Sequence, residues 1–245
     1  MSDFFRFPHT PHLAWLGKGQ PRDDKLIPPD EALQFLSDEV VIEEKLDGAN
    51  LGISLTEDGK VQIQNRGHYL VPPFKGQFSR LNTWVTPYQF HLMDSLERHL
   101  IVFGEWCSAK HSLDYDALPD WFIVFDVYDR KRSSFWNTSR RNELANMFGF
   151  ATVNQISKGR TTMEKLRALL DSQPSAYRQG LMEGIIIRRE SSEWCKGRAK
   201  FVRSDFTQNI NEHWQRNRIE WNRTLICSSL SNQDPAFSTT TPSGE

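Results

Sequence analysis

Apolar and polar positions alternate in short bursts along most of the chain. VVIEEKL (40–46), LGISL (51–55) and VQIQ (61–64) read as three strands, the last two joined by the turn TEDGK. LIVFGEW (100–106), WFIVFDVYD (121–129), GIIIRRE (184–190) and AKFVR (199–203) predict four more. Helical spacing appears in PPDEALQFL (28–36), with Asp30 as its cap, and in PYQFHLMDSLERHL (87–100). It returns from Thr138 in TSRRNELANMF and in TTMEKLRALLDS, capped by Thr161 or Thr162. SDFTQNINEHWQRNRIEW (204–221) reads as a polar amphipathic helix. Residues 1–30 form an irregular Pro/Gly-rich arm, 65–79 are irregular, and a Ser/Thr/Pro-rich tail closes the chain. Strands and helices alternate without a Gly-rich phosphate loop. The expectation is therefore α+β with antiparallel sheets and not a dinucleotide-binding fold.

Composition narrows the class. With 245 residues, eight tryptophans and sixteen phenylalanines there is ample material for a core, so the chain is not intrinsically disordered. No run reaches the roughly 18 apolar residues of a membrane helix, and the N-terminus lacks a signal-type apolar region. Cys107, Cys195 and Cys227 are far apart and in no metal-type spacing, which suggests reduced thiols and a cytoplasmic setting. A net charge of −1 argues against indiscriminate coating of nucleic acid. Basic residues nonetheless crowd two windows, Arg130–Lys131–Arg132 with Arg140 and Arg141, and Arg188 to Arg203. Each window is either a phosphate-contacting surface or ordinary solvated charge.

EEKLDGAN (43–50) places a lysine between acids and follows it with Asp-Gly. Its simplest reading is a β-hairpin with a solvated lysine at the tip. Other apolar strands end in charge in the same manner: Arg66 follows VQIQ, Glu105 sits in FGEW, Asp126 in FDVYD, Glu183 before GIIIR, and Lys200 in RAKFVR. Strands buried on both faces do not carry charge at their ends without a reason, and the recurrence weakens the hairpin-tip reading.

In this order, roughly from residue 40 to 215, the motifs resemble the covalent nucleotidyltransferase superfamily of ATP-dependent polynucleotide ligases and mRNA capping enzymes. Asn50 and the His213–Trp214 pair are most similar to the T4 RNA ligase 2 branch. The resemblance implies a ligase-type nucleotidyltransferase domain over 1–222, a tail over 223–245, and no C-terminal oligonucleotide-binding barrel, since little chain follows Arg203. It implies ATP and Mg2+ or Mn2+ as cofactors. It also implies RNA with 5′-phosphate and 3′-hydroxyl ends, possibly a nicked duplex, as the nucleic-acid partner, with a role in RNA repair. A protein partner could supply a missing substrate-binding domain.

The resemblance also implies roles. Lys45 would be the nucleophile that forms lysyl-AMP. Glu44 and Asp47 should not pair tightly with its amine, because a close carboxylate would keep it protonated. Gly48 would let the backbone approach the nucleotide, and Asp47 and Asn50 would orient metal-bound water or ribose. Arg66 would contact the sugar or a 5′-phosphate, Glu105 the ribose hydroxyls, and Phe125 would stack on adenine. Asp126 and Glu183 are candidates for the metal shell. Lys200 would grip the α-phosphate with Arg198 as its partner. The family shows Lys-x-Lys where this chain has Arg198–Ala199–Lys200, so which residue takes which role stays open, and Arg is not a neutral replacement for Lys. Two other readings compete with an RNA ligase: a minimal DNA nick ligase, and a non-catalytic nucleic-acid-binding protein on the same fold.

Overall fold

The computed structural model describes residues 4–17, 26–208 and 219–225. Its strands are β1 (Val40–Lys45), β2 (Ala49–Leu55), β3 (Val61–Asn65), β4 (Tyr69–Leu70), β5 (Leu100–Trp106) and β6 (Phe122–Asp129). They continue with β7 (Ser134–Trp136), β8 (Ala151–Thr152), β9 (Gln155–Gly159), β10 (Gly184–Glu190) and β11 (Trp194–Val202). The helices are α1 (Pro29–Phe35), α2 (Leu81–Val85), α3 (Gln89–Ser95), α4 (Thr138–Phe148), α5 (Met163–Ser172) and α6 (Ser204–Gln208). Hydrogen-bonded neighbours run in the order β4-β3-β2-β5-β6-β7-β11-β10-β1-β9, with β8 added in parallel to β6 and the pairs along that path antiparallel. The α+β expectation holds.

Each half of this path buries one face under helices. Leu51, Ile53, Val102 and Trp106 pack beneath Leu81, Trp84 and Leu92 of α2 and α3. Val40, Ile42, Ile185, Ile187, Ala199 and Phe201 pack against Phe35 of α1 and Leu166 and Leu170 of α5. Full burial of each such side chain stabilises by about 1.5–3 kcal/mol. Because side chains alternate along a strand, the opposite faces carry Glu43 and Lys45, Ile186 and Arg188, Arg198 and Lys200. These residues are left to form a site between the halves.

The hairpin expected at EEKLDGAN does not form. β1 pairs with β10 and β9, whereas β2 pairs with β3 and β5. Leu46–Gly48 therefore carries the chain from one half of the sheet to the other. The Asp-Gly turn alone could not reveal this, because β5, β9 and β10 lie more than 50 residues away from it along the chain.

Other expectations shift locally. Pro28, not Asp30, precedes α1 as its cap, and Asp30 sits in the first turn, where a negative charge suits the helix dipole. The long helix expected over 87–100 becomes a 3-10 turn around Pro87 followed by the short α3. Asn137 caps α4 by accepting from Arg140 N, and Thr162 caps α5 by accepting from Lys165 N. Gly149 ends α4 at φ 71°, a left-handed conformation that glycine adopts without strain.

The polar helix expected over 204–221 is described as far as Gln208 and again from residue 219; His213 and Trp214 lie outside the described residues. Residues 219–225 run beside the loop 107–118, with Arg223 N donating to Tyr115 O and Leu225 N to Leu118 O. The rest of the expected tail, and Cys227, lie outside the described residues.

Candidate active site

A cavity of about 350 Å3 opens between the two halves of the sheet. Of the candidates from the sequence, Glu44, Lys45, Gly48, Asn50, Arg66 and Glu105 line it. So do Phe125, Asp126 and Lys200, whereas Asp47, Glu183 and Arg198 stand immediately behind these residues.

Strand register assembles the centre. Lys45 lies opposite Gly184, so Glu183, one residue before β10, arrives beside the lysine amine. Lys45 Nζ donates to the Glu183 carboxylate at 2.6 Å from either oxygen. The lysine side chain is 24% exposed and that of Glu183 only 8%. Burial tends to lower the Lys45 pKa, but the charges of Glu183, then Glu105 and Asp47, outweigh it and the net direction is upward. Burial pushes both Glu183 and Glu105 up to about 7, against the opposing pull of Lys45.

The other two acids are held away from the amine. Glu44 accepts from Ser175 Oγ at 2.5 Å and Ala176 N at 2.9 Å. Asp47 Oδ2 accepts from Ser112 N at 2.8 Å and Leu113 N at 3.1 Å, while Asp47 N donates to Tyr115 Oη at 2.8 Å. Gly48 N donates to Glu105 Oε1 at 3.0 Å. A Cβ at Gly48 would lie 2.7 Å from Trp106 O and 3.1 Å from Cys107 Sγ, so the glycine is required for the close approach of this crossover to β5. Asn50 pairs with Glu105 across β2 and β5, and its Oδ1 is buried without a protein hydrogen-bond partner. A buried acceptor left unpaired costs about 1–3 kcal/mol, which a ligand hydroxyl would remove.

Phe125 and Asp126 are adjacent in sequence, yet both line the cavity. The reason is a β-bulge: Phe103 pairs with Asp126 and Gly104 with Val124, leaving Phe125 as the extra residue. Phe125 meets Phe7 edge-on at 5.2 Å. Asp126 sits between two arginines: Arg188 Nη1 donates to its Oδ1 at 2.9 Å and Arg198 Nη1 engages its Oδ2, so each oxygen has a guanidinium partner.

The arginine of the Arg-x-Lys strand is accounted for by the same contact. Arg198 also lies over the rings of Phe7 (4.7 Å) and Phe135 (4.0 Å), whereas Lys200 lines the cavity. Arg66 lines the cavity too, and its guanidinium donates to Pro8 O at 3.2 Å, tying down the N-terminal arm.

Sequence reasoning missed part of the wall. Phe7 and Thr10 of the arm line the cavity, held there by Lys200 N donating to Pro11 O and Leu13 N donating to Lys200 O. Glu43 and Arg188 form its floor with Arg141, all three being at most 1% exposed. Arg141 Nη2 lies 2.7 Å from Glu43 Oε1, and Arg188 Nε 2.8 Å from Glu190 Oε1. Buried charges persist only when paired in this way. Arg141 and Arg188 therefore leave the basic windows as phosphate contacts. Arg140, half-buried, lies over Trp136 (4.1 Å) and Trp194 (4.7 Å). The signal for Arg188 was present in GIIIR, a charge ending an otherwise apolar strand.

No cluster of three or more His, Cys, Asp or Glu able to hold a metal ion occurs among the described residues. Those residues form no all-protein cage. They fit an ion such as Mg2+, which commonly takes one or two carboxylates and completes its shell with water and substrate phosphate.

A two-sided antiparallel sheet enclosing a lysine, acidic partners and an aromatic platform defines a nucleotidyltransferase-type domain. The family model described as RNA ligase matches residues 38–202, and the chain belongs to that family. Among solved structures it is similar to Naegleria gruberi RNA ligase with pyrophosphate, at 19% identity and TM-score 0.58 over 86% of this chain and 62% of that one. A mutant of the same enzyme with ATP and Mn gives 18% and 0.59 over 84% and 64%. An archaeal ATP-dependent RNA ligase gives 19% and 0.56 over 82% and 49%. At these identities the likeness is one of fold, and the chain spans less than two thirds of the length of each. No curated protein matches the sequence.

Proposed function

We propose that this chain is the adenylylating domain of an ATP-dependent RNA ligase, of the T4 RNA ligase 2 type, acting in cytoplasmic RNA repair. The observation that carries the reading is Lys45, which lines the cavity with its amine against Glu183, inside the segment that matches the family.

ATP would lie with adenine against Phe125, its ribose near Asn50 and Glu105, and its α-phosphate between Lys45 and Lys200. The Lys45 amine forms a P–N bond to the α-phosphorus as the bond to pyrophosphate breaks. A 5′-phosphate oxygen then displaces the lysine, giving an adenylylated end and returning a proton to Lys45. A 3′-hydroxyl finally attacks that 5′-phosphate and AMP leaves. A divalent ion held by Glu183 with Mg2+ or Mn2+ chemistry would neutralise charge on the transferring phosphoryl oxygens. Asp47 would orient water in its shell, and Asp126 serves instead as the anion that positions Arg188 and Arg198. Further chain or a protein partner would help hold the polynucleotide.

An intact-mass measurement tests this. Protein incubated with ATP and Mg2+ or Mn2+ should gain one AMP, lose it on adding pyrophosphate, and gain nothing as Lys45→Ala. Nicked RNA and nicked DNA duplexes then compare substrates. No mass gain with either metal rejects the reading and leaves a nucleic-acid-binding role; sealing of DNA alone rejects the RNA assignment.

A further inference from the structure

Segment 219–225 is far from Lys45 in sequence, but a chain of hydrogen bonds ends beside it. Asn222 is 5% exposed, and its amide is fully used. Its Oδ1 accepts from Tyr115 N at 2.8 Å, and its Nδ2 donates to Cys107 O at 2.8 Å and Ala109 O at 3.2 Å. One side chain thus fastens both ends of the loop 107–115. That loop in turn holds the crossover after Lys45: Ser112 N and Leu113 N donate to the Asp47 carboxylate, and Tyr115 Oη accepts from Asp47 N. Cys107 is also one of the residues against which Gly48 packs.

We infer that Asn222 is a positioning residue for adenylylation, fixing the loop that sets Asp47 and the Lys45–Gly48 crossover. The inference rests on the proposed reaction at Lys45. It does not involve the nucleotide's own contacts, because neither Asn222 nor residues 107–115 line the cavity. The segment stays docked without the side chain: Asn222 N still donates to Ser108 O, Arg223 N to Tyr115 O and Lys110 N to Glu220 O. An Asn222→Ala chain should therefore fold with its loop loosened. A displacement of about 1 Å in a reacting group can cost about a hundredfold in rate.

The test is a two-residue cycle read by single-turnover AMP transfer to Lys45. Asn222→Ala should slow labelling by about ten- to a hundredfold, with the half-saturating ATP concentration unchanged. In an Asp47→Ala background, where the loop keeps only the Tyr115 Oη contact to the backbone N–H of residue 47, the same change should cost measurably less. An equal loss in both backgrounds, a rise in half-saturating ATP at unchanged rate, or wild-type labelling each overturns the inference. If the wild-type protein takes up no AMP, the proposed reaction has failed, and hydrogen exchange decides the positioning claim separately. Faster exchange at the Asp47, Ser112 and Leu113 amides in Asn222→Ala supports it, and unchanged protection refutes it.

Discussion

Lys45 and Glu183, 138 residues apart in the chain, meet amine to carboxylate at 2.6 Å. This geometry favours the charged lysine, so in the ligand-free site the proposed nucleophile is held in an unreactive form. Activation requires something that draws negative charge away from the amine or brings positive charge toward it, and a divalent ion at Glu183 would do both.

The pair can be separated into two measurable effects. Glu183→Gln removes the largest influence that raises the Lys45 pKa. Competitive labelling with a small acylating reagent should show Lys45 more reactive at neutral pH in this variant. AMP transfer should nevertheless fall by about a hundredfold, because the carboxylate proposed to hold the metal is lost. A more reactive lysine with AMP transfer at the wild-type rate would remove Glu183 from the metal role.

Glu105 should leave a trace in stability against pH. Its pKa rises from 4.5 to about 7 on folding, chiefly through burial, so the folded state binds the proton more tightly. Its stabilising contribution is complete below about 4.5 and is lost as the pH rises through about 7. Glu105→Gln cannot titrate but can still accept from Gly48 N. The thermal midpoint of the ligand-free variant should fall less across that window than the wild-type midpoint. Parallel curves for the two proteins would show that Glu105 is ionised at an ordinary pKa.

Arg198 and Lys200 should separate cleanly. Arg198→Ala leaves Asp126 with Arg188 alone and strips a cation from Phe7 and Phe135, so urea unfolding should report a loss of about 1.5–3 kcal/mol. Lys200→Ala should unfold near the wild-type midpoint yet form lysyl-AMP about a hundredfold more slowly. The reverse pattern would exchange the two roles.

The floor of the cavity depends on paired burial. Arg141→Met leaves buried Glu43 with only Arg188 Nε, 3.8 Å from its Oε2, and should cost about 3–5 kcal/mol by denaturant unfolding. Adding Glu43→Gln removes the under-compensated charge and should recover most of that loss. A double variant as unstable as the sum of the two singles would show that the pair contributes nothing as a pair.

Much of this was legible in the chain. Apolar alternation located the principal strands because burial of one face is a local requirement, written at every second residue. The order Lys45, Arg66, Glu105, Asp126, Glu183, Lys200 marked the site because each charge ends or interrupts an apolar strand. The same strand pattern could not show the β-bulge that turns Phe125 and Asp126 toward one cavity, since a bulge is defined by the partner strand.

What only the tertiary structure decided is who faces whom. The sequence determined that Lys45 lies at a strand end before a glycine turn. The pairing of β1 with β10 and of β2 with β5 made that turn a crossover and brought Glu183 to the amine. Arg141 looks like solvated charge in sequence, and the acids Glu43 and Asp126 that pair with Arg141 and Arg188 come from elsewhere in the fold. Charge pairing acts through space, so its partners appear only once the sheet has closed.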